Sequence, residues 1–297
     1  MHEILHILEH TLLETVRLIP FLFITYLIME YIEHKTSNKV KETIQKSGKF
    51  GPLLGAIVGI FPQCGFSVSA TNLYAARVIT LGTLISVYLA TSDEMLPILL
   101  TESVSFSTIL TILALKLIIG IIAGFIIDAV IKLTKKEKQE EQKIEELCEH
   151  EHCHCDEGIV VSAVKHTINI IIFIFIITLV INGIISLIGE KTIAHFISKN
   201  ILLGPIVAGF IGLIPNCASS VILTELFIEN VISMPVLISG VAVNAGVGLL
   251  VLFKTNKNIK ENLRIVGLLY AIGVISGIIL QVILWNLPKK LVILVIL

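Results

Sequence analysis

Four stretches of this chain, 11–32, 107–131, 166–188 and 265–287, run as long apolar segments with few charges. Each approaches or exceeds the ~20 residues a helix needs to cross a ~30 Å hydrocarbon core. A water-soluble fold would have to hide all four. Hydrophobic residues are 55% of the chain, charged residues 15%, and the mean hydropathy is +0.93, which lies outside the balance of soluble domains. An all-α, polytopic membrane protein is therefore expected, since helices satisfy every backbone amide within one segment. The formal net charge is −1, and Lys and Arg gather between the apolar stretches rather than along one face, so no footprint for nucleic acid is present. The start, MHEILHILEH, has neither a basic opening nor a small-residue cleavage site, and the first span is expected to be retained.

The chain also contains two copies of one unit. GPLLGAIVGIFPQCGFSVSATNLYAARVITLGTLIS (51–86) aligns without gaps with GPIVAGFIGLIPNCASSVILTELFIENVISMPVLIS (204–239), an offset of 153 residues, with 14 of 36 positions identical. The identities include Gly51/Gly204, Pro52/Pro205, Pro62/Pro215, Cys64/Cys217, Ser67/Ser220 and Thr71/Thr224, residues that shared apolar composition alone would not match. This divides the chain into a first transmembrane repeat (1–131), a charged linking loop (132–165) and a second repeat (166–297). Paired helical units in lipid suggest a transporter whose site lies where the units meet.

Basic residues set the orientation. The linker 33–50 carries five Lys but its counterpart 189–203 only two, whereas 254–264 carries four basic residues and the counterpart 101–106 none. By the positive-inside rule, corresponding loops lie on opposite faces, so the copies are inverted and both termini face outward. An odd number of crossings per copy is then required. Residues 51–100 are too few for three passes, so a re-entrant hairpin (51–62 and 65–77) followed by one crossing (79–100) is expected, repeated at 204–215, 218–230 and 232–252. The total is ten helical segments, six of them crossing fully.

The hairpin tips read Phe61-Pro62-Gln63-Cys64-Gly65-Phe66-Ser67 and Ile214-Pro215-Asn216-Cys217-Ala218-Ser219-Ser220. Pro breaks each descending helix and the small residue after Cys permits a tight reversal. Gln63, Cys64, Ser67, Asn216, Cys217 and Ser220 are candidate substrate-binding residues near the midplane. Paired thiols suit soft or borderline metals and trivalent arsenic better than Na⁺ or Ca²⁺. Asp93 and Glu94 interrupt an apolar stretch, where acids are expensive and mark an ion site or proton relay. Their counterpart in the second copy is Asn244-Ala245-Gly246-Val247, and Asn244 joins the candidate set. Asp93, Glu94 and Glu225 are proton-coupling candidates, with Glu225 a potential partner of Arg77. Lys116 and Asp128 read as a structural pair or as side chains snorkelling to the interface.

Five cysteines, split between membrane depth and one polar loop, do not suggest a disulfide framework. The loop gathers Cys148, His150, His152, Cys153, His154 and Cys155, a plausible Zn²⁺ site without the spacing of a structural zinc fold. His2, His6 and His10 repeat every fourth residue before the first span.

Pro-Gln-Cys-Gly, Pro-Asn-Cys-Ala, Thr-Ser-Asp-Glu and the His/Cys-rich loop resemble the ten-transmembrane heavy-metal exporter family, related by name to arsenic-efflux permeases and including members labelled manganese transporters. The resemblance implies export across the bacterial plasma membrane. The residues and the resemblance together lead to a secondary exporter of a divalent transition-metal cation such as Mn, Zn or Fe. Cys64, Cys217 and Asp93 or Glu94 would be the metal ligands and a carboxylate would exchange protons. No Walker motif is present, no enzymatic activity and no permanently bound cofactor are expected, and the partners are the metal ion, the bilayer and, as a candidate, a second copy of the chain. The alternatives are an arsenite or organoarsenical permease, and a membrane-embedded metal sensor or metal-dependent enzyme.

Overall fold

The computed structural model describes residues 50–102, 104–134, 159–188 and 203–286, together with helical residues between 8 and 27. The His/Cys loop 148–155, His2, His6 and His10 lie outside the described residues. Among the described residues all regular structure is helical, and five helical segments are long and apolar enough to cross a membrane: Leu81–Thr101, Phe106–Thr134, Ala163–Val180, Met234–Thr255 and Ile259–Asn286.

The helices with defined bounds are α1 (Gly51–Gly59), α2 (Cys64–Ala75), α3 (Leu81–Ala90), α4 (Met95–Thr101), α5 (Phe106–Thr134) and α6 (Ile159–Ile188). They continue with α7 (Leu203–Gly212), α8 (Cys217–Ile228), α9 (Met234–Val243), α10 (Gly248–Thr255) and α11 (Ile259–Asn286). The 153-residue offset carries over to the backbone. α2 maps onto α8 and α3 onto α9 end for end, and the ends of α1 and α7 and the starts of α4, α10, α5 and α11 coincide as well. Arg77 and Asn230, another equivalent pair, both close their helices with φ 59°.

At 1.5 Å per residue, the 9 residues of α1 and 12 of α2 reach only about 13 and 18 Å, too short to cross. The segments expected to cross as single helices, 79–100 and 232–252, are each broken in two. The break between α3 and α4 falls at Ser92-Asp93-Glu94, and that between α9 and α10 at Ala245-Gly246-Val247. The physical reason is local: Asp93 (φ 24°) and its equivalent Gly246 (φ 55°) leave the right-handed region, and no α-helix continues through such a residue. Broken backbone is tolerable in a membrane only inside protein. Accordingly 72% of the apolar window of Leu81–Thr101 and 89% of that of Met234–Thr255 are buried, against 33% for α5 and 28% for α11, whose outer faces carry exposed Leu and Ile.

Each copy packs its first short helix and its long helix around the first half of its broken helix: α1 and α5 around α3, α7 and α11 around α9. Between copies the contacts are reciprocal. α2 lies on α10, α8 lies on α4, and α3 meets α9. Tyr74, Leu84 and Tyr88 of the first copy share one core cluster with Val243, Leu252 and Leu269 of the second. A bidentate pair ties the copies at one end. Arg77 donates to Glu261 at 2.6 and 2.7 Å, and the Tyr74 hydroxyl donates to the same carboxylate. This corrects the pairing of Arg77 with Glu225, which is exposed on α8.

Close approach of α3 and α5 depends on Gly124. A Cβ there would meet the Gly82 carbonyl oxygen at 2.6 Å and the Pro52 side chain at 2.8 Å, and would overlap the Ser86 hydroxyl. Gly267 on α11, by contrast, has nothing within 4 Å of a Cβ. Gly124→Val is expected to destabilise by several kcal/mol through backbone displacement, and Gly267→Ala to be neutral or stabilising by up to about 1 kcal/mol. Thermal unfolding of the two variants in detergent checks the contrast. Asp128 does not pair with Lys116. It caps α3 by accepting from the Gly82 N–H at 2.9 Å and from the Thr80 hydroxyl at 2.7 Å.

Candidate metal site

At both tips the chain turns in the same way. The Gln63 N–H donates to the Phe61 carbonyl at 2.8 Å, and the Asn216 N–H to the Ile214 carbonyl at 2.7 Å. These are three-residue turns centred on Pro62 and Pro215, whose fixed φ suits the geometry. Gln63 and Asn216 then adopt extended N-cap conformations, so that Cys64 and Cys217 are the first residues of α2 and α8. Both thiols sit at helix N-termini, where N–H groups lack intrahelical partners and the helix dipole presents positive charge.

The two sulfurs are 2.9 Å apart. Cys217 is buried and Cys64 partly exposed. Asp93, delivered by the break between α3 and α4, completes the group: the Cys64 Sγ, the Cys217 Sγ and a carboxylate oxygen of Asp93 all lie within 4.8 Å of one another. Asp93 is 4% exposed and its carboxylate accepts no hydrogen bond from an N–H or O–H group; the donor beside it is the weak one of the Cys64 thiol. A buried carboxylate left this way costs free energy that a ligand or a proton recovers. Gly246 faces the group. A Cβ at this position would meet Asp93 Oδ2 at 2.6 Å and the Cys64 Sγ at 3.8 Å, so the glycine keeps the left-handed turn and the space beside the carboxylate.

A small cleft reaches the group, lined by Gln63, Glu94, Thr15, Thr178 and Ile174 among others. Gln63 and Glu94 thus face the same space as the thiols and Asp93. The other sequence candidates do not. The Ser67 hydroxyl donates to the Cys64 carbonyl and that of Ser220 to the Cys217 carbonyl, both at 2.8 Å, closing the first turns of their own helices. Asn216 is buried at the N-cap, its carbonyl accepting from the Ser219 hydroxyl at 2.9 Å. Asn244 braces the second break: its amide donates to the Ser219 hydroxyl at 3.0 Å and its oxygen accepts from the Gly246 N–H at 2.7 Å.

Lys116 was read from sequence as snorkelling or as paired with Asp128, and the structure corrects this. It is 0% exposed, and its ammonium donates to the carbonyls of Thr91 and Val241, the latter at 2.8 Å. Those carbonyls belong to the terminal turns of α3 and α9, where each broken helix ends. The signal available in the sequence was its depth, ten residues into a 29-residue apolar helix, too far from either end to reach water. Gly246, Thr15 and Thr178 are not among the sequence candidates; the repeat sets Gly246 opposite Asp93, a signal that could have found it, and nothing in the local sequence marks Thr15 or Thr178.

The fold and the site define a multi-pass membrane protein with a buried, sulfur-rich group suited to a metal. The chain matches the family described as "Putative, 10TM heavy-metal exporter" over residues 14–189, and it belongs to that family. The matched segment covers Cys64, Asp93 and Lys116, while Cys217 and Gly246 come from the second copy beyond it. Neither a curated protein nor a solved structure matches the chain.

Proposed function

We propose that this heavy-metal exporter carries a divalent transition-metal cation across the bacterial plasma membrane, with Cys64, Cys217 and Asp93 as its ligands at membrane depth. One observation carries the reading: a buried carboxylate that accepts from no N–H or O–H group, beside two thiols from corresponding positions of the two copies. Two sulfurs and one carboxylate favour Zn²⁺, Cd²⁺ or Fe²⁺ over the harder Mn²⁺. Ligands must shed protons to bind metal, which couples loading to proton release; Asp93 at the group and Glu94 on the cleft are the exchanging acids.

The two copies are inverted, and their short helix pairs α1–α2 and α7–α8 re-enter from opposite faces. Support comes from the reversed distribution of Lys and Arg, the reciprocal contacts between copies, and helices too short to cross. Alternating access then consists of rocking about the pseudo-two-fold relation, with the site at its centre. The second reading, arsenite efflux, draws on the 2.9 Å sulfur pair, which suits trivalent arsenic, but it leaves Asp93 without a role. Flux into proteoliposomes of Zn²⁺, Cd²⁺, Mn²⁺ and arsenite, for the wild type and Cys64→Ala/Cys217→Ala, decides between them. Cd²⁺ and Zn²⁺ flux that disappears with the thiols supports the proposal. Arsenite flux alone selects the permease, and metal flux indifferent to both cysteines overturns the site.

A further inference from the structure

Two buried charges distinguish the first copy from the second. Asp93 of the first copy stands where the second has Gly246, and Lys116 where it has Leu269. An acid and a base therefore occur together in one copy and in neither of the equivalent positions. Lys116 is fully buried and is held by carbonyls at the ends of α3 and α9, one of them that of Thr91, two residues before Asp93. The C-terminal ends of two helices present partial negative charge, which favours the ammonium there. Glu94 is partly exposed and lines the cleft rather than belonging to the buried group.

Resting on the metal-site reading above, we infer that Lys116 is a specificity-determining counter-charge, which makes a divalent cation the load that leaves the buried site neutral. With both thiols deprotonated by the metal, two thiolates, the Asp93 carboxylate and the Lys116 ammonium leave two negative charges, which a dication cancels. A monovalent thiophilic cation leaves one negative charge, cancelled only if Asp93 or a thiol keeps a proton and is lost as a ligand. At membrane depth an uncompensated charge is what selects against a load. Lys116 touches backbone rather than cargo, so it acts through the charge balance of the site and not as a ligand.

Charge complementation tests this. With Cys148, Cys153 and Cys155 replaced by Ser, Cys64 and Cys217 are the remaining thiols of the chain. The Cd²⁺–thiolate charge-transfer band of the purified full-length protein then reports this site alone, and Ag⁺ is the monovalent competitor. Asp93→Asn and Lys116→Met are each expected to weaken Cd²⁺ by about 100-fold, the usual scale for removing one partner of a buried charge pair. The double variant, neutral again with a dication but still short of the Asp93 ligand, is expected to bind Cd²⁺ about tenfold more tightly than Asp93→Asn alone, a non-additivity that cycles measure directly. Asp93→Asn, neutral with Ag⁺, is expected to shift the Cd²⁺/Ag⁺ preference toward Ag⁺ by about tenfold or more. That arm leaves Lys116 in place and stands even where Lys116→Met fails to fold. A double variant weaker than either single one, or an unchanged Cd²⁺/Ag⁺ preference in Asp93→Asn, overturns the inference while leaving the metal site standing. Absence of any Cd²⁺–thiolate band in the starting protein overturns both.

Discussion

Asp93→Asn is expected to reduce divalent-cation flux by about 100-fold or more while changing thermal stability by no more than about 1 kcal/mol. Two opposed effects set the second figure. The buried carboxylate accepts no hydrogen bond from an N–H or O–H group, so its removal relieves a cost, but the same removal leaves the buried Lys116 ammonium without its counter-charge. Asn matches its size and, like Asp, tolerates the left-handed φ of 24° at this position, so the turn between α3 and α4 survives. What disappears is the anionic oxygen, and with it a ligand and the buried charge. Proteoliposome flux and thermal unfolding in chelator, run on the same preparations, check both halves. A variant that loses flux and stability together would make Asp93 a structural residue of the turn.

Gly246→Ala is expected to lower flux by about 10-fold to 100-fold without removing any ligand, and to destabilise the protein by about 1–3 kcal/mol. The methyl group would approach Asp93 Oδ2 to 2.6 Å, and a non-glycine residue at φ 55° is strained in its own right. The carboxylate must then turn away from the sulfurs. Loss of function accordingly comes with loss of stability, unlike in Asp93→Asn. Full flux in Gly246→Ala would show that the Asp93 position seen here is not the one used in transport.

The repeat was the most legible feature of the sequence because its backbone-shaping residues survived in both copies. Pro62 and Pro215 specify the tip turns, and the α2 and α8 boundaries coincide at the offset that Cys64 and Cys217 define. The broken crossings were half legible. Asp93 and Glu94 marked a polar site in an apolar stretch, but Leu81–Thr101 and Met234–Thr255 have the length and hydropathy of continuous spans. A single left-handed residue breaks each, and the sequence does not distinguish that from an acid on a helix face. Ser67, Ser220 and Asn244 were natural candidates by chemistry, yet each hydrogen-bonds nearby backbone or a neighbouring hydroxyl, the usual competition for Ser and Asn. Lys116 was misread for a long-range reason. Its partners, Thr91 and Val241, are 25 and 125 residues away and offer only carbonyls, which leave no mark in side-chain patterns.

The central claim is that the two copies jointly bind one metal ion through sulfur. The most direct measurement is X-ray absorption on the Zn²⁺-loaded protein, with Cys148, Cys153 and Cys155 replaced by Ser and His150, His152 and His154 by Ala, so that the loop supplies no ligand. The account predicts two sulfur neighbours at about 2.3 Å and lighter neighbours at about 2.0–2.2 Å, the sulfur shell vanishing in Cys64→Ala/Cys217→Ala. A first shell of oxygen and nitrogen alone would contradict it.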